Sequence, residues 1–269
     1  MKQQSLSRRQ MLGLGVAASA LVGALTCGGM TTLGLLWLRS QRRGRPATNE
    51  AAFIGEAHTV TPTPAPPEMV SREGWGALEP NHDARTEGGF YSEENPNGWR
   101  VYEGDLADMY RTVVIHHTAF YEGTDLRTLA EVQRLHREDR GWADVAYHYF
   151  VGRSGLLYEG RALNVRGSHV GGYNTGSLGV CLLGNFMEQE PTDAQILSAQ
   201  RLLVWAAKAL ALTHIAGHQD FNPETECPGT NLIPYITQFA AVTQLQVGTD
   251  GYIPPEDAAA ACACGGTHA

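Results

Sequence analysis

Two segments about a hundred residues apart carry the side chains with the clearest capacity for chemistry. His116 and His117 end a short β-branched run, while His218 and Cys227 lie nine residues apart in the second segment. Imidazole nitrogen and thiolate sulfur are zinc ligands, and a catalytic zinc site has three protein ligands and a fourth position for water. Zinc lowers the pKa of that water to about 7, which suits hydrolysis near neutrality. These residue types therefore favour a hydrolytic zinc centre formed by His116, His218 and Cys227.

The same residues allow two other interpretations. Neighbouring histidines are often only structural, and Cys227 with His218 could be the nucleophile and base of a thiol hydrolase. Chelation separates the zinc and thiol alternatives, because only a metal enzyme loses its activity when the ion is removed. Within the second segment, Asp220 is a candidate to orient an imidazole through its second nitrogen.

The elements that must position these residues follow from hydrophobic patterns. β-Branched or aromatic runs predict strands at 112–115, 147–151, 156–159 and 178–183. Helical spacing predicts a helix over 125–138, a longer one from Thr192 to about Leu212 with a Thr192–Gln195 capping box, and a third near 232–239. The interleaved elements indicate the α/β class, a single domain with a central mixed β-sheet flanked by helices. Cys181 is predicted to be a buried strand residue.

The N-terminal part differs from the rest. Residues 1–46 contain Arg8-Arg9 and, from Met11 to Leu38, 28 uncharged residues, more than the ~20 that span a bilayer. This pattern predicts a twin-arginine signal or membrane anchor. We expect export to the cell envelope, as a secreted protein if the leader is cleaved and a membrane-anchored one if it is not. Residues 47–68 predict a Pro-rich linker, 69–246 the globular domain and 247–269 a flexible tail.

Composition narrows the class of partner. With 269 residues and 43% hydrophobic content, the chain can bury a core of its own. The chain after residue 46 contains 13 basic and 28 acidic side chains. An acidic surface repels phosphate groups, which argues against a nucleic-acid partner. The five cysteines are an odd number without the spacing of a disulfide framework. We expect a monomer.

A set of motifs occurs in a characteristic order. It comprises Ser71-Arg-Glu-Gly-Trp-Gly-Ala77, Val114-Ile-His-His-Thr-Ala119, Gly141-Trp-Ala-Asp-Val-Ala-Tyr-His-Tyr-Phe150, Tyr158-Glu-Gly-Arg161, Gly167-Ser-His169, Tyr173-Asn174, Ser177-Leu-Gly-Val180, Gly217-His218 and Thr225-Glu-Cys-Pro-Gly229. Over residues 70–239 this order resembles the peptidoglycan recognition proteins and type-2 N-acetylmuramoyl-L-alanine amidases. The resemblance implies zinc-dependent hydrolysis of the amide between N-acetylmuramic acid and L-alanine in peptidoglycan. The alternative is a non-catalytic peptidoglycan-binding module, a kind of relative that characteristically lacks the thiol ligand.

The resemblance also implies roles for single residues. His116, His218 and Cys227 match the family's zinc ligands, and Tyr147 and Thr225 match the positions that assist catalysis. The Tyr147 hydroxyl would donate to the carbonyl oxygen as it becomes an oxyanion, and Thr225 would orient water or share in oxyanion binding. The positions that match the family's substrate groove are His117, Thr118, His136, Trp142, Arg166, His169 and Asn174.

Two features bear on the substrate. The Arg166 guanidinium suits a stem-peptide carboxylate, because its fork binds two oxygens at once. In the recognition proteins, a Gly-Trp pair at the place of Gly141-Trp142 accompanies a preference for meso-diaminopimelate stems. The chain departs from the family pattern in a His218-to-Cys227 interval that is one residue longer, and in an apparent insertion over 80–108.

Overall fold

The structure is a computed structural model that describes residues 65–253. The predicted leader, most of the linker, the chain after residue 253, and Cys27, Cys262 and Cys264 lie outside the described residues. Within 65–253, no helix combines the length and the hydropathy that a membrane crossing requires.

The described residues form a six-stranded mixed sheet in the order β3-β2-β4-β1-β5-β6. Its strands are β1 (Thr112–His117), β2 (Tyr149–Val151), β3 (Leu157–Glu159), β4 (Ser177–Leu182), β5 (His214–Gly217) and β6 (Gln246–Val247). Only the β2–β3 pair is antiparallel. The predicted mixed sheet is thus confirmed, while β5 and β6 are additions to the four predicted strands.

The helices within 65–253 are α1 (Arg72–Trp75), α2 (Leu106–Met109), α3 (Asp125–Arg134), α4 (Asp193–Ala209), α5 (His218–Phe221) and α6 (Ile233–Thr243). A π-helical turn, Leu135–Asp139, extends α3, so the predicted helix is present with a widened last turn. The capping box that begins α4 is confirmed, because the Thr192 side chain accepts from the Gln195 N–H and the Gln195 side chain accepts in return.

Two predicted boundaries differ from the structure. Tyr147 is predicted to lie within a strand, but β2 begins only at Tyr149. The Tyr147 carbonyl accepts the Arg161 N–H at 2.8 Å, a contact between residues that lie outside the strands. The globular fold also continues beyond residue 246, since Gln246 begins β6 and the Tyr252 hydroxyl donates to the Thr175 carbonyl at 2.9 Å. The predicted tail therefore begins inside the packed domain.

The central strand β1 is buried along its entire length, as expected for a parallel strand covered on both faces. Val113 and Ile115 contribute to the core cluster that includes residues of α4 and α6. On the opposite face, Leu129 and Val132 of α3 pack in a second cluster with Cys181. Cys181 is fully buried, which confirms its predicted place in the core.

Strand register explains why two distant histidines meet. β1 and β5 are parallel neighbours, and Ile115 of β1 is paired with Gly217 of β5. The next residues, His116 within β1 and His218 directly after β5, therefore lie at the same carboxyl edge of the sheet. Carboxyl ends of parallel strands are the usual place for ligand sites in open α/β sheets.

The segment over 80–108 packs against the domain instead of extending from it. The Glu87 carboxylate is 3% exposed and forms a two-point ion pair with Arg161 at 2.5 and 2.9 Å. Trp99 shares a small buried cluster with Ala143 and Val165. The segment is thus fixed to the residues that line the site described next.

Candidate metal centre and adjoining groove

His116, His218 and Cys227 form a group of potential ligands whose nitrogen and sulfur atoms all lie within 4.8 Å of one another. Cys227 Sγ lies 3.5 Å from His116 Nδ1. Tetrahedral zinc with bonds of about 2.0–2.3 Å would separate such atoms by about 3.3–3.6 Å. The donor set and its spacing fit zinc after a small inward movement of the ligands.

The His116 ring is fully buried and hydrogen-bonded behind the ligand group. Its Nε2 lies 3.0 Å from His169 Nδ1, and His169 Nε2 lies 3.2 Å from the Ser177 carbonyl oxygen. Burial, reinforced by neighbouring imidazoles, holds the pKa of both His116 and His169 well below the usual value. Both rings are therefore neutral near pH 7, the form in which imidazole binds metal.

Cys227 is 9% exposed, and burial raises the pKa of its thiol to about 12. The His117 backbone N–H donates to Sγ at 3.4 Å and lowers the pKa in part. Catalytic cysteines depend on a depressed pKa, so this environment disfavours the thiol-hydrolase alternative. A coordinated cation would deprotonate the same sulfur outright.

Backbone contacts position the loop between His218 and Cys227. The Gln219 N–H donates to the Cys227 carbonyl at 3.0 Å, and the Cys227 N–H donates to Thr225 Oγ1 at 3.2 Å. The predicted role of Asp220 in orienting an imidazole is wrong. Its carboxylate instead accepts the Gly217 N–H at 2.7 Å, because the start of α5 has an unpaired donor there.

The main compartment of the groove has a volume of about 1190 Å3 and adjoins the ligand group. Five predicted site residues line it together with His218 and Cys227, namely His117, Thr118, His136, Tyr147 and Thr225. Burial lowers the pKa of His117 to about 4 and that of His136 to about 3. Nδ1 of His117 accepts the Phe186 N–H at 3.3 Å, and Nδ1 of His136 accepts the Ala146 N–H at 3.1 Å. Each ring is therefore a neutral imidazole with its proton on Nε2.

Tyr147 and Thr118 differ in what they can offer a ligand. The Tyr147 ring lies 5.0 Å from the His116 ring, and burial beside Cys181 and Cys227 raises the pKa of its hydroxyl well above the usual value. Tyr147 therefore remains a hydrogen-bond donor. The Thr118 hydroxyl donates to the Phe120 carbonyl at 2.6 Å and accepts the Gly184 N–H at 2.9 Å, which makes it chiefly a loop-fixing group.

A second compartment of about 510 Å3 contains the other predicted groove residues, Trp142, Arg166, His169 and Asn174. Arg140 and His218 line both compartments. Thr86 and Asn97 of the 80–108 segment form part of the second compartment's wall. The Gly98 carbonyl accepts from Arg166 Nη2 at 2.8 Å and so fixes the guanidinium.

Several groove residues escaped the sequence-based prediction. Arg140 has no motif that marks it, and Glu87 lies in a segment that carried no prediction. Asn185 was detectable in principle, because it follows the carboxyl end of β4, which neighbours β1. Such positions commonly face a ligand in parallel sheets.

Comparison with known proteins agrees with this architecture. The family profile described as N-acetylmuramoyl-L-alanine amidase matches residues 107–230. Peptidoglycan-recognition protein SC2 of Drosophila melanogaster is 37% identical over 134 residues, 47% of this chain and 72% of the fly protein. Peptidoglycan recognition protein 1 of Bos indicus is 33% identical over 182 residues, 64% of this chain and 83% of that protein.

A solved structure shows the same fold. Peptidoglycan recognition protein-LE, in complex with tracheal cytotoxin, a monomeric diaminopimelic acid-type peptidoglycan, aligns with a TM-score of 0.52 and 26% identity over 70% of this chain and 98% of its own. The chain belongs to the family of peptidoglycan recognition proteins and type-2 N-acetylmuramoyl-L-alanine amidases. This family includes amidases and non-catalytic recognition proteins.

Proposed function

We propose that this protein is a zinc-dependent N-acetylmuramoyl-L-alanine amidase, which hydrolyses the amide between N-acetylmuramic acid and L-alanine in peptidoglycan. The observation that carries the proposal is the group of His116, His218 and Cys227, with ligand atoms within 4.8 Å at the edge of a large groove. A bound zinc ion would supply Lewis-acid activation of water and of the substrate carbonyl. A non-catalytic binding module would have no need of the buried thiol.

The groove residues support a division of labour around the scissile amide. The Tyr147 hydroxyl keeps its proton and donates to the carbonyl oxygen as negative charge develops there. Thr225 accepts the Cys227 N–H, which leaves its hydroxyl hydrogen to orient water or the same oxygen. His117 and His136 present Nε2–H groups to substrate acceptors and do not act as general bases, because their pKa values of about 4 and 3 make them weak ones.

Charge favours one direction for the stem peptide. The main compartment is acidic, because its charged residues are four carboxylates and one guanidinium, those of Asp139, Glu188, Glu224, Glu226 and Arg140. The second compartment has two guanidinium groups, Arg140 and Arg166, and one carboxylate, Glu87, which is already paired with Arg161. We therefore place the carboxylates of the stem peptide in the second compartment, near Arg166 and Trp142. This chain is similar to a recognition protein whose structure contains a diaminopimelic acid-type peptidoglycan, and that similarity supports meso-diaminopimelate stems as substrates.

Mass analysis of purified muropeptides digested by the full chain tests bond, stem type and activity together. We expect release of the intact stem peptide, loss of cleavage on chelation and its return with zinc. Cys227→Ser should abolish cleavage and retain cell-wall binding, while Cys262→Ser, the same chemical change at a cysteine outside the described residues, should retain both. Full turnover by Cys227→Ser would contradict the role of Cys227 as a zinc ligand, and absence of cleavage by the wild type would leave peptidoglycan binding as the function. Cleavage by metal-free protein that stops on alkylation would favour the thiol mechanism.

The site of action is part of the same proposal. The arginine pair and the uncharged run within residues 1–46 support twin-arginine export and action at the cell envelope, either membrane-anchored or secreted. We propose that the protein acts there as a monomer. Fractionation of cells that express the wild type and an Arg8→Lys/Arg9→Lys variant tests this directly. Unchanged delivery of the variant to the envelope would contradict the export route.

A further inference from the structure

The His169 ring lies behind the ligand group and has hydrogen-bond partners at both nitrogens. Nε2 lies 3.2 Å from the Ser177 carbonyl oxygen, and Nδ1 lies 3.0 Å from His116 Nε2. A carbonyl oxygen can only accept, so Nε2 of His169 carries the proton. In a neutral ring, Nδ1 then holds a lone pair and must accept.

The same logic passes to His116. Because His169 Nδ1 accepts, His116 Nε2 is the donor and carries the proton of that ring. His116 Nδ1 therefore holds the lone pair, and this atom lies 3.5 Å from Cys227 Sγ. The reverse arrangement would put a proton on the atom that faces the other two ligands.

The position of the His169 ring is fixed by its surroundings. A Cβ atom at Gly167 would lie 2.4 Å from His169 Cδ2, and one at Gly179 would lie 2.6 Å from the same atom. The Asn174 side-chain oxygen accepts the backbone N–H groups of both His169 and Val170 at 2.7 Å. The ring thus occupies a close-fitting space between two glycines, on a backbone fixed by Asn174.

We propose that His169 is a positioning residue for the metal centre, which fixes His116 in the tautomer that binds zinc through Nδ1. The relay runs from the Ser177 carbonyl through His169 to His116. This inference rests on the proposed zinc function. It assigns His169 a role distinct from the substrate contact expected from the family pattern.

The test is zinc affinity, measured by competition with a chromophoric chelator on the metal-free full chain. His169→Ala removes the acceptor for His116, and loss of such an outer partner costs about 10–100-fold in metal affinity. His169→Asn retains an acceptor oxygen near the Nδ1 position and should bind more tightly than His169→Ala. Gly179→Ala should weaken zinc binding as well, because it displaces the ring without altering its chemistry.

His136→Ala is the matched control, because His136 is a buried groove histidine whose Nδ1 accepts the Ala146 N–H instead of contacting a ligand ring. It should bind zinc as the wild type does. A substrate-contact role for His169 predicts a raised KM with unchanged zinc affinity. If folded His169→Ala loses less than about tenfold in zinc affinity relative to the wild type, the proposal is overturned.

A second measurement needs no variant. Long-range proton–nitrogen spectra of the metal-free wild type should show His116 and His169 both protonated at Nε2. A proton on His116 Nδ1 would overturn the proposed relay. Wild-type protein that binds no zinc would overturn both this inference and the amidase proposal, whereas unaltered zinc binding by His169→Ala with active wild type would overturn this inference alone.

Discussion

Replacement of Glu87 by glutamine tests whether the 80–108 segment is a structural part of the domain. Both carboxylate oxygens are occupied, Oε1 by Arg161 Nη1 and the Ser168 hydroxyl, and Oε2 by Arg161 Nη2 and the Ala143 N–H. Arg161 is 1% exposed, so Glu87 is the counter-ion of an almost completely buried guanidinium.

The expected cost follows from that geometry. Each carboxylate oxygen accepts from two donors, so in Glu87→Gln two of these donors would face the amide NH2 group, which cannot accept. The Arg161 charge also loses its partner, and breaking a buried ion pair by removal of one charge costs about 3–5 kcal/mol. We expect the free energy of unfolding of Glu87→Gln to fall by that amount, a large part of the 5–15 kcal/mol that is typical of a domain.

Urea unfolding of the full chain, followed by tryptophan fluorescence and by circular dichroism, measures this loss. Glu93→Gln makes the same chemical change at an exposed position of the same segment, and we expect a change within about 0.5 kcal/mol. A loss below about 1 kcal/mol for Glu87→Gln would refute the reasoning, because it would mean that water or another group compensates the Arg161 charge.

Three further changes test separate parts of the structure. Tyr147→Phe should lower kcat by about 10²–10³-fold, the effect of losing one oxyanion donor, and should leave zinc affinity unchanged. A loss of zinc affinity as large as the loss of kcat would contradict this role. Thr192→Ala should lower the free energy of unfolding, measured in urea, by about 1–2 kcal/mol, because the hydroxyl caps α4 and also donates to the Arg153 carbonyl. A change near zero would show that the cap is dispensable. The pKa of His136 is lowered to about 3, so below about pH 6.5 the ring is protonated in the unfolded state but neutral in the folded state. Its contribution to stability is therefore complete above pH 6.5 and falls as the pH decreases toward 3. In chelator-treated protein, His136→Gln should reduce the slope of unfolding free energy against pH by up to about 1.36 kcal/mol per pH unit, and an unchanged slope would contradict the assignment.

Local sequence patterns predicted the parts of the fold that depend on local interactions. β1 and β4 were visible as apolar runs, and the Thr192 capping box was visible because its partners lie three residues apart. β5 was missed, since four residues that begin with His214 and end with Gly217 carry too little of a strand pattern. Strands of that length are defined by their neighbours, which a single sequence does not show.

The site was predicted unevenly for the same reason. Two histidines at strand ends suggested a cleft, but the inclusion of Cys227 depended on the resemblance to a family as much as on residue type. Three contacts span too many residues for any local pattern, namely Glu87 with Arg161, His169 with His116, and Arg166 with the Gly98 carbonyl. The interpretation of Asp220 was wrong because helix capping, a local interaction, outweighed the metal-site role that was assumed for it.

The three metal ligands differ in what fixes them, and this difference has a measurable consequence. His116 is part of the buried central strand and His218 directly follows β5, whereas Cys227 ends a loop with exposed residues at Asn222 and Glu224. A ligand that binds only the folded state at 100 times its Kd stabilises that state by about 2.7 kcal/mol. Openings that release Cys227 break the site, so zinc should suppress them even where the rest of the domain remains folded.

Amide hydrogen exchange with and without zinc tests this prediction. We expect the largest gain in protection at residues 219–229, whose amides exchange through local opening in the metal-free protein. The β1 amides exchange only through global unfolding and should gain no more than the global stabilisation. An equal gain at both places would contradict the view that the sheet holds two ligands in advance and that the cation orders the third.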